Sequence, residues 1–266
     1  ELVLTAARRV RGDGWRGLWS ARHAWLYAAF EQAVARQAAA TLVASTVDAS
    51  YLRRWSGGAR IVPLTNGVDG AYFGAVVAAS EPGVVAFIGA LEFGPNIDAL
   101  RFFAGAVWPA LQRSGAARRL LIVGRRPVPE VRRLANLPGV ELHADVPDVR
   151  PLLARARVVV VPTRQGGGVK NKVLEACAAG RAVVASPAAL GGLSARPGRE
   201  LLCAATPDEW QQQVRRLLAA PELAARVAAA GRAWVQRAHR WDVLGERLRA
   251  ELARAAGSRK GAIGCR

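Results

Sequence analysis

With 266 residues, 52% of them hydrophobic and 22% charged, the chain has the size and composition of one large globular domain, or of one domain with part of another, and not of a disordered polymer. Its formal charge of +18 comes almost wholly from scattered arginines, and with only 6% aromatics and no nucleic-acid motif this basicity reads as solubility, or as attraction to an anionic membrane surface, rather than as nucleic-acid binding. The cysteines, Cys177, Cys203 and Cys265, are too widely spaced for a zinc site or a disulfide framework and fit a reducing cytosol, and no apolar run approaches the length of a membrane span.

No methionine occurs, even at position 1, so Glu1 is read as a fragment boundary, and no signal peptide is visible. Along the chain, residues 18–40 carry Trp19, Trp25, Leu26, Phe30 and Val34 near helical spacing. Short strands follow at 42–45 and 61–64, with a helix over 47–55 between them. Thr65-Asn66-Gly67-Val68-Asp69 is a turn, and 74–83 is small-residue linker sequence. From Val84 the pattern alternates. Strands are expected at 84–88, 120–123, 140–143, 158–161 and 182–185, with helices over 98–113, 129–134, 149–156 and 172–179. Helices over 208–219, 222–238 and 241–255 close the chain, and the tail from Gly257 lacks apolar periodicity.

Strands alternating with helices predict βαβ units, and the unbroken apolar run Val158–Val161 suits a parallel sheet covered on both faces. Ligands of such sheets sit outside the carboxyl ends of the strands, which singles out three loops: 89–96, 124–127 and 163–171. The third carries the strongest signal. Gly166, Gly167 and Gly168 permit close backbone approach, and a helix N-terminus follows, where free amides favour phosphate. Two of the three lysines of the chain, Lys170 and Lys172, fall there; Glu175 shares a helix face with Lys172 and can accept from ribose hydroxyls. The alternative is a flexible glycine loop beside a solvated Lys–Glu pair. In the second loop, Arg125 or Arg126 either reaches a phosphate or base or is an exposed strand-end arginine. In the first, Gly89 allows close approach and Asn96 reads as the cap of the next helix. The match Gly12-Asp13-Gly14-Trp15-Arg16-Gly17 follows arginines rather than a strand and is read as a loop. His23, His143 and His239 are read as structural and Cys177 as core; no metal-ligand spacing is present.

These residues resemble retaining glycosyltransferases of the GT-B fold, group 1 family. Gly168-Val169-Lys170-Asn171-Lys172-Val173-Leu174-Glu175-Ala176 is similar to that family's E-x7-E region, and Asn66-Gly67-Val68-Asp69 with Phe73 to its P-N-G-V-D-x-x-x-F segment, with Thr65 in place of the proline. Gly124-Arg125-Arg126-Pro127, Val146–Pro151 and Gly198–Leu202 match in order. Within the family the chain looks closest to sugar transferases of exopolysaccharide and exosortase systems. The resemblance, over residues 20–252, implies a Rossmann-like doubly wound parallel sheet that binds a UDP- or GDP-sugar. It also implies transfer with retention to a lipid-linked or polysaccharide acceptor, in exopolysaccharide or envelope glycan synthesis.

The implied organisation is an N-terminal-domain remnant over 1–70, a linker at 71–83 and the nucleotide-sugar domain over 84–238. A helix crossing back to the remnant follows at 239–256, then a disordered tail at 257–266. Glu175 would hold the ribose, and Gly168 and Val169 would meet the diphosphate. Gly89, Arg125, Arg126, Gly167, Lys170 and Lys172 complete the donor set. Gly167 stands where the first glutamate of E-x7-E belongs, and the basic residues usual after the first strand of this domain are missing. The catalytic residues are unknown and expected in the missing N-terminal domain. Neither metal nor cofactor is expected. The enzyme would be cytoplasmic, peripheral at the inner face of the membrane. A degenerate, non-catalytic nucleotide-sugar binder is the alternative, and another Rossmann-type enzyme a third.

Overall fold

A computed structural model of the chain describes residues 14–75, 80–165 and 168–263. Two compact units are present, one ending at Thr65 and resuming at Gly245, the other Asn66–Leu244. No helix among the described residues is long and apolar enough to cross a membrane.

The smaller unit begins with helix α1 (Gly14–Gln37). A parallel pair, β1 (Thr41–Val43) and β2 (Ile61–Pro63), flanks α2 (Thr46–Trp55). Ser45 caps α2 by accepting from the Asp48 amide at 3.0 Å, as a serine just ahead of a helix is suited to do. Its small core comprises Ala35, Ala49, Leu52 and Ile61. Glu251 Oε2 accepts from Arg60 at 2.5 Å, tying the C-terminal stretch of this unit to β2.

The larger unit is a six-stranded, wholly parallel sheet. Its strands are β3 (Val84–Ile88), β4 (Arg119–Gly124), β5 (Val140–Ala144), β6 (Val158–Val161), β7 (Ala182–Ala185) and β8 (Leu202–Cys203), in the spatial order β5-β4-β3-β6-β7-β8. That is the doubly wound arrangement, reversing direction between β3 and β6. Alternate residues of one strand point to opposite faces, and here both faces are core. Val85 and Phe87 of β3 pack with Trp108, Trp210 and Leu217, whereas Val84, Ala86 and Ile88 pack with Val173, Leu174 and Trp234. This is why the strands read as unbroken apolar runs.

The helices of this unit are α3 (Gly70–Gly74), α4 (Gly94–Phe102), α5 (Trp108–Arg113), α6 (Pro129–Leu134), α7 (Arg150–Arg155), α8 (Asn171–Ala178), α9 (Pro187–Leu190), α10 (Pro207–Ala219) and α11 (Pro221–Ala238). The last helix, α12, is Trp241–Ile263.

Several expectations are corrected. The single helix expected over 98–113 is α4 and α5 joined by a π-helical turn at Phe103–Val107. Pro109 lacks an amide and its ring crowds the carbonyl four residues back, so the ladder widens and the Trp108 amide bonds to the Phe103 carbonyl. Part of the expected linker is helical: Asp69 Oδ1 accepts from the Tyr72 amide at 2.8 Å and starts α3. Gly14–Gly17 lies within α1 rather than in a loop, while Gly12 and Asp13 fall outside the described residues. The tail expected to be disordered from 257 continues α12 to Ile263, and 264–266 fall outside the described residues. The units divide at Thr65/Asn66 and Leu244/Gly245, a few residues from the expected 70 and 239.

Gly67 faces the Trp241 ring, and a Cβ built on it would lie 2.6 Å from Trp241 Cδ2. Gly67→Ala is expected to lower stability by about 1 kcal/mol in urea unfolding, because the exposed Trp241 ring must swing aside. In a Trp241→Ala background the same change is expected to cost nothing.

Candidate functional site

The reversal of strand order opens a crevice where the chain leaving β3 and the chain leaving β6 turn to opposite sides. Glycines make its floor. The Gly89 amide donates to the Val123 carbonyl at 3.0 Å, and a Cβ on Gly124 would fall 1.8 Å from the Gly89 carbonyl oxygen. A Cβ on Gly89 would in turn fall 2.9 Å from both Asn96 Nδ2 and Lys172 Nζ. Gly89, expected to permit close approach, is therefore approached by the protein's own lysine.

Lys172 starts the second position of α8 and extends across to the β3 side. Its ammonium donates to Asn96 Oδ1 at 2.6 Å and stands 4.5 Å from the centre of the Phe87 ring. Burial pushes this ammonium down to about 8; the Glu175 carboxylate partly offsets that, and Lys170 adds to it. Glu175, one turn further along α8, is raised by its burial, with Lys172 pulling the other way. The two share a helix face as expected, but Lys172 spends its hydrogen bond on Asn96 and no ion pair joins it to Glu175.

Asn96 corrects an expectation. It does not cap α4, whose N-cap is Phe93, but lies in the first turn, 6% exposed, with Nδ2 donating to the Ala90 carbonyl at 2.8 Å. Pro95 supplies the helix start instead, its missing amide being one that no helix start satisfies.

The loop from β6 to α8 is pinned at both ends. Arg164 forks onto Asp98, with Nε to Oδ2 at 3.0 Å and Nη2 to Oδ1 at 2.5 Å, and Ser186 Oγ donates to the Thr163 carbonyl. At the far end, Asn66 Nδ2 donates to Asn171 Oδ1 at 2.9 Å. Between these anchors, Gly168 has φ +73°, and a Cβ there would meet nothing within 4 Å. The space beside Gly168 is therefore open. Val169 packs on the core and Lys170 is the N-cap residue of α8. Gly166 and Gly167 lie outside the described residues.

Of the arginines after β4, Arg125 is exposed, and its carbonyl accepts from the Leu91 amide at 2.9 Å. Arg126 holds φ +52°, stabilised by its amide donating to Asp145 Oδ1 at 2.7 Å. Its guanidinium is 2.7 Å from Glu92 Oε1, so its charge is already met within the protein. Cys177 is fully buried, burial raising its thiol to about 12, which keeps it protonated. Among the described residues no group of His, Cys, Asp and Glu is arranged to hold a metal ion.

The structure thus brings Gly89, Lys172 and Glu175 to one crevice with the Gly168–Lys170 loop, and leaves Arg125 and Arg126 on the rim. Asn96, Asp98, Arg164, Asn66 and Asn171 as positioning side chains escaped the sequence reading. Their signal is spatial, with partners 66 to 105 residues apart.

The family model for glycosyl transferases group 1 matches residues 82–220. No curated protein matches the sequence. Among solved structures, the chain is similar to sucrose-phosphate synthase from Thermosynechococcus elongatus, at 22% identity and TM-score 0.70, covering 87% of this chain and 61% of that one. It is similar to TarM, of S. aureus, at 16% identity and TM-score 0.69, covering 82% of this chain and 44% of that one. It is also similar to Anabaena HepE in complex with UDP and glucose, at 15% identity and TM-score 0.65, covering 85% of this chain and 66% of that one. In each case the chain spans under two thirds of the other protein's length. At these identities the likeness shows a shared fold. The family match extends over more than half of the chain, from the strand that opens the parallel sheet to the helix that follows its last strand, and the chain belongs to the group 1 glycosyl transferases.

Proposed function

We propose that this chain is the donor-binding part of a glycosyltransferase that moves a sugar from a UDP- or GDP-sugar, with retention, to a lipid-linked or polysaccharide acceptor. The observation that carries the reading is the convergence of a half-buried ammonium, Lys172, and a half-buried carboxylate, Glu175, on a switch-point crevice beside Gly168, where a Cβ would meet nothing within 4 Å. Glu175 accepts from the ribose hydroxyls. The amides of Gly168 and Val169 and the charges of Lys172 and Lys170 meet the diphosphate and stabilise the charge that develops as it leaves. Gly89 bounds the floor, and Arg125 and Arg126 line the rim. The chain supplies no nucleophile in this scheme; the acceptor and the remaining catalytic groups belong to the rest of the enzyme. Structures of HepE and TarM with UDP support a UDP donor. Exopolysaccharide or envelope glycan synthesis at the inner face of the membrane follows from the resemblance in sequence and from the charge of +18, which suits anionic lipid.

Calorimetric titration with UDP, GDP and ADP tests the reading. One nucleotide is expected to bind, and Lys172→Ala to weaken it about ten- to hundredfold, the value of one charge-assisted contact. Unchanged affinity in Lys172→Ala removes the lysine from the site. Gly167, in place of a glutamate, favours a second reading as a non-catalytic nucleotide-sugar binder. Turnover of a UDP- or GDP-sugar by the whole enzyme separates the two.

A further inference from the structure

Lys172 is held in a way that a cation merely waiting for an anion does not need. Its ammonium has left the α8 surface, lies over the Phe87 ring, and is received by the buried carboxamide of Asn96. That carboxamide cannot turn away, because its other end is bonded to the Ala90 carbonyl at 2.8 Å. Nor can β3 move closer, since Gly89 already leaves no room for a Cβ between Asn96 and Lys172. The groups facing the ammonium are few. From its own segment Glu175 and Lys170 act on it, β3 presents Phe87 and the turn after it Gly89, and α4 presents the neutral Asn96, while Asp98 is engaged by Arg164.

We propose that Asn96 is a positioning residue of the donor site, which aims the Lys172 ammonium into the crevice and favours its charged form by accepting from it, so that binding of a nucleoside diphosphate is coupled to protonation of that amine. The inference rests on the donor reading above. The free ammonium sits at about 8. A diphosphate beside it favours the charged form and returns it toward the ordinary lysine value of about 10.4. Between those limits each binding event takes up close to one proton, and linkage makes affinity fall roughly tenfold per pH unit. Phosphate itself, with its second pKa of about 6, has finished titrating there.

The test is calorimetry of the chain with UDP from pH 7 to 10, in buffers of differing ionisation enthalpy. Uracil loses a proton near the top of this range, so Lys172→Ala measured alongside supplies the baseline. Against it, the wild-type chain is expected to take up a proton and to lose affinity from about pH 8. In Asn96→Ala the neutral acceptor is gone and the fall begins at lower pH; in Asn96→Asp the added carboxylate moves it higher. A merely structural Asn96 would lower affinity by one factor at every pH in both variants, leaving the midpoint unmoved, and that result overturns the proposal. If the Asn96 variants do not fold, the comparison of wild type with Lys172→Ala still decides, since identical pH profiles overturn it. UDP binding with a flat profile sinks this inference alone. No binding of UDP, GDP or ADP at any pH sinks the donor reading with it.

Discussion

Gly124→Ala is expected to cost about 3–5 kcal/mol of stability, seen as a fall in the urea midpoint, and to abolish nucleotide binding. A Cβ at this position would stand 1.8 Å from the Gly89 carbonyl oxygen and 2.9 Å from both the Gly89 carbonyl carbon and Leu91 Cγ. The obstacle is backbone, so no rotamer relieves it. Relief requires β3 and β4 to part where Ile88 pairs with Val123 and where the Gly89 amide bonds to the Val123 carbonyl. Those strands are central, and Phe87 and Ile122 within them are fully buried, so the separation is transmitted into the core. It also shifts Gly89, against which Lys172 and Asn96 are packed, which couples the stability loss to the crevice. Gly94→Ala is the control. Nothing lies within 4 Å of a Cβ there, and Gly94 opens α4, so the change is expected to be neutral or to add up to about 0.5 kcal/mol. Equal losses in both variants would show that the contact at Gly124 is not what limits the fold.

How much of this was legible in the sequence depends on how local the cause is. The strands were legible because burial on both faces leaves an unbroken apolar run, as in Val158–Val161, where all four residues are buried. The glycine loop ahead of α8 was legible for a similar reason: positive φ at Gly168 is a property of one residue type. The π-helical turn was within reach, since Pro109 stands inside an otherwise helical run, but helical periodicity alone passes over it. The extension of α12 to Ile263 was not legible because Gly257, Ser258 and Gly261 disfavour a helix and no apolar spacing marks one there. The partners of the site were out of reach. Asn96 looks like a cap from its neighbours, and only the folded chain brings Lys172, 76 residues on, to its oxygen. Arg126 looks like a free phosphate ligand until the loop after β3 delivers Glu92 to it. Residue types thus announced the chemistry of the crevice, while the assignment of each charge to a partner required the fold.

Glu175→Gln is expected to weaken nucleotide binding about tenfold or more while stabilising the ligand-free chain. The affinity loss follows from replacing a carboxylate, which can accept from two ribose hydroxyls, by an amide with one accepting oxygen; a hydrogen bond to a charged group contributes about 1.5–3 kcal/mol. The gain in stability follows from the sign of the shift. Burial raises the Glu175 carboxyl above its unfolded value of 4.5, so between the two values the folded state holds more protons and stability falls as pH rises through that window. Above it the ionised, buried carboxylate is a standing cost, which glutamine lacks. Lys172 modulates the size of the gain. Where the lysine is charged, Glu175 supports it, and removing the carboxylate returns part of the gain as a less favourable ammonium. Above about pH 8 the lysine is neutral and the gain is expected to be largest. Toward pH 4, where the Glu175 carboxyl is mostly protonated in both states, it should shrink. Thermal unfolding at pH 4, 7 and 9, with and without UDP, reads both halves at once: UDP should raise the wild-type midpoint more than that of the variant, although the variant starts higher. A variant that is less stable at every pH would mean that the carboxylate serves the fold rather than a ligand, and the role of Glu175 in donor binding would fall with it.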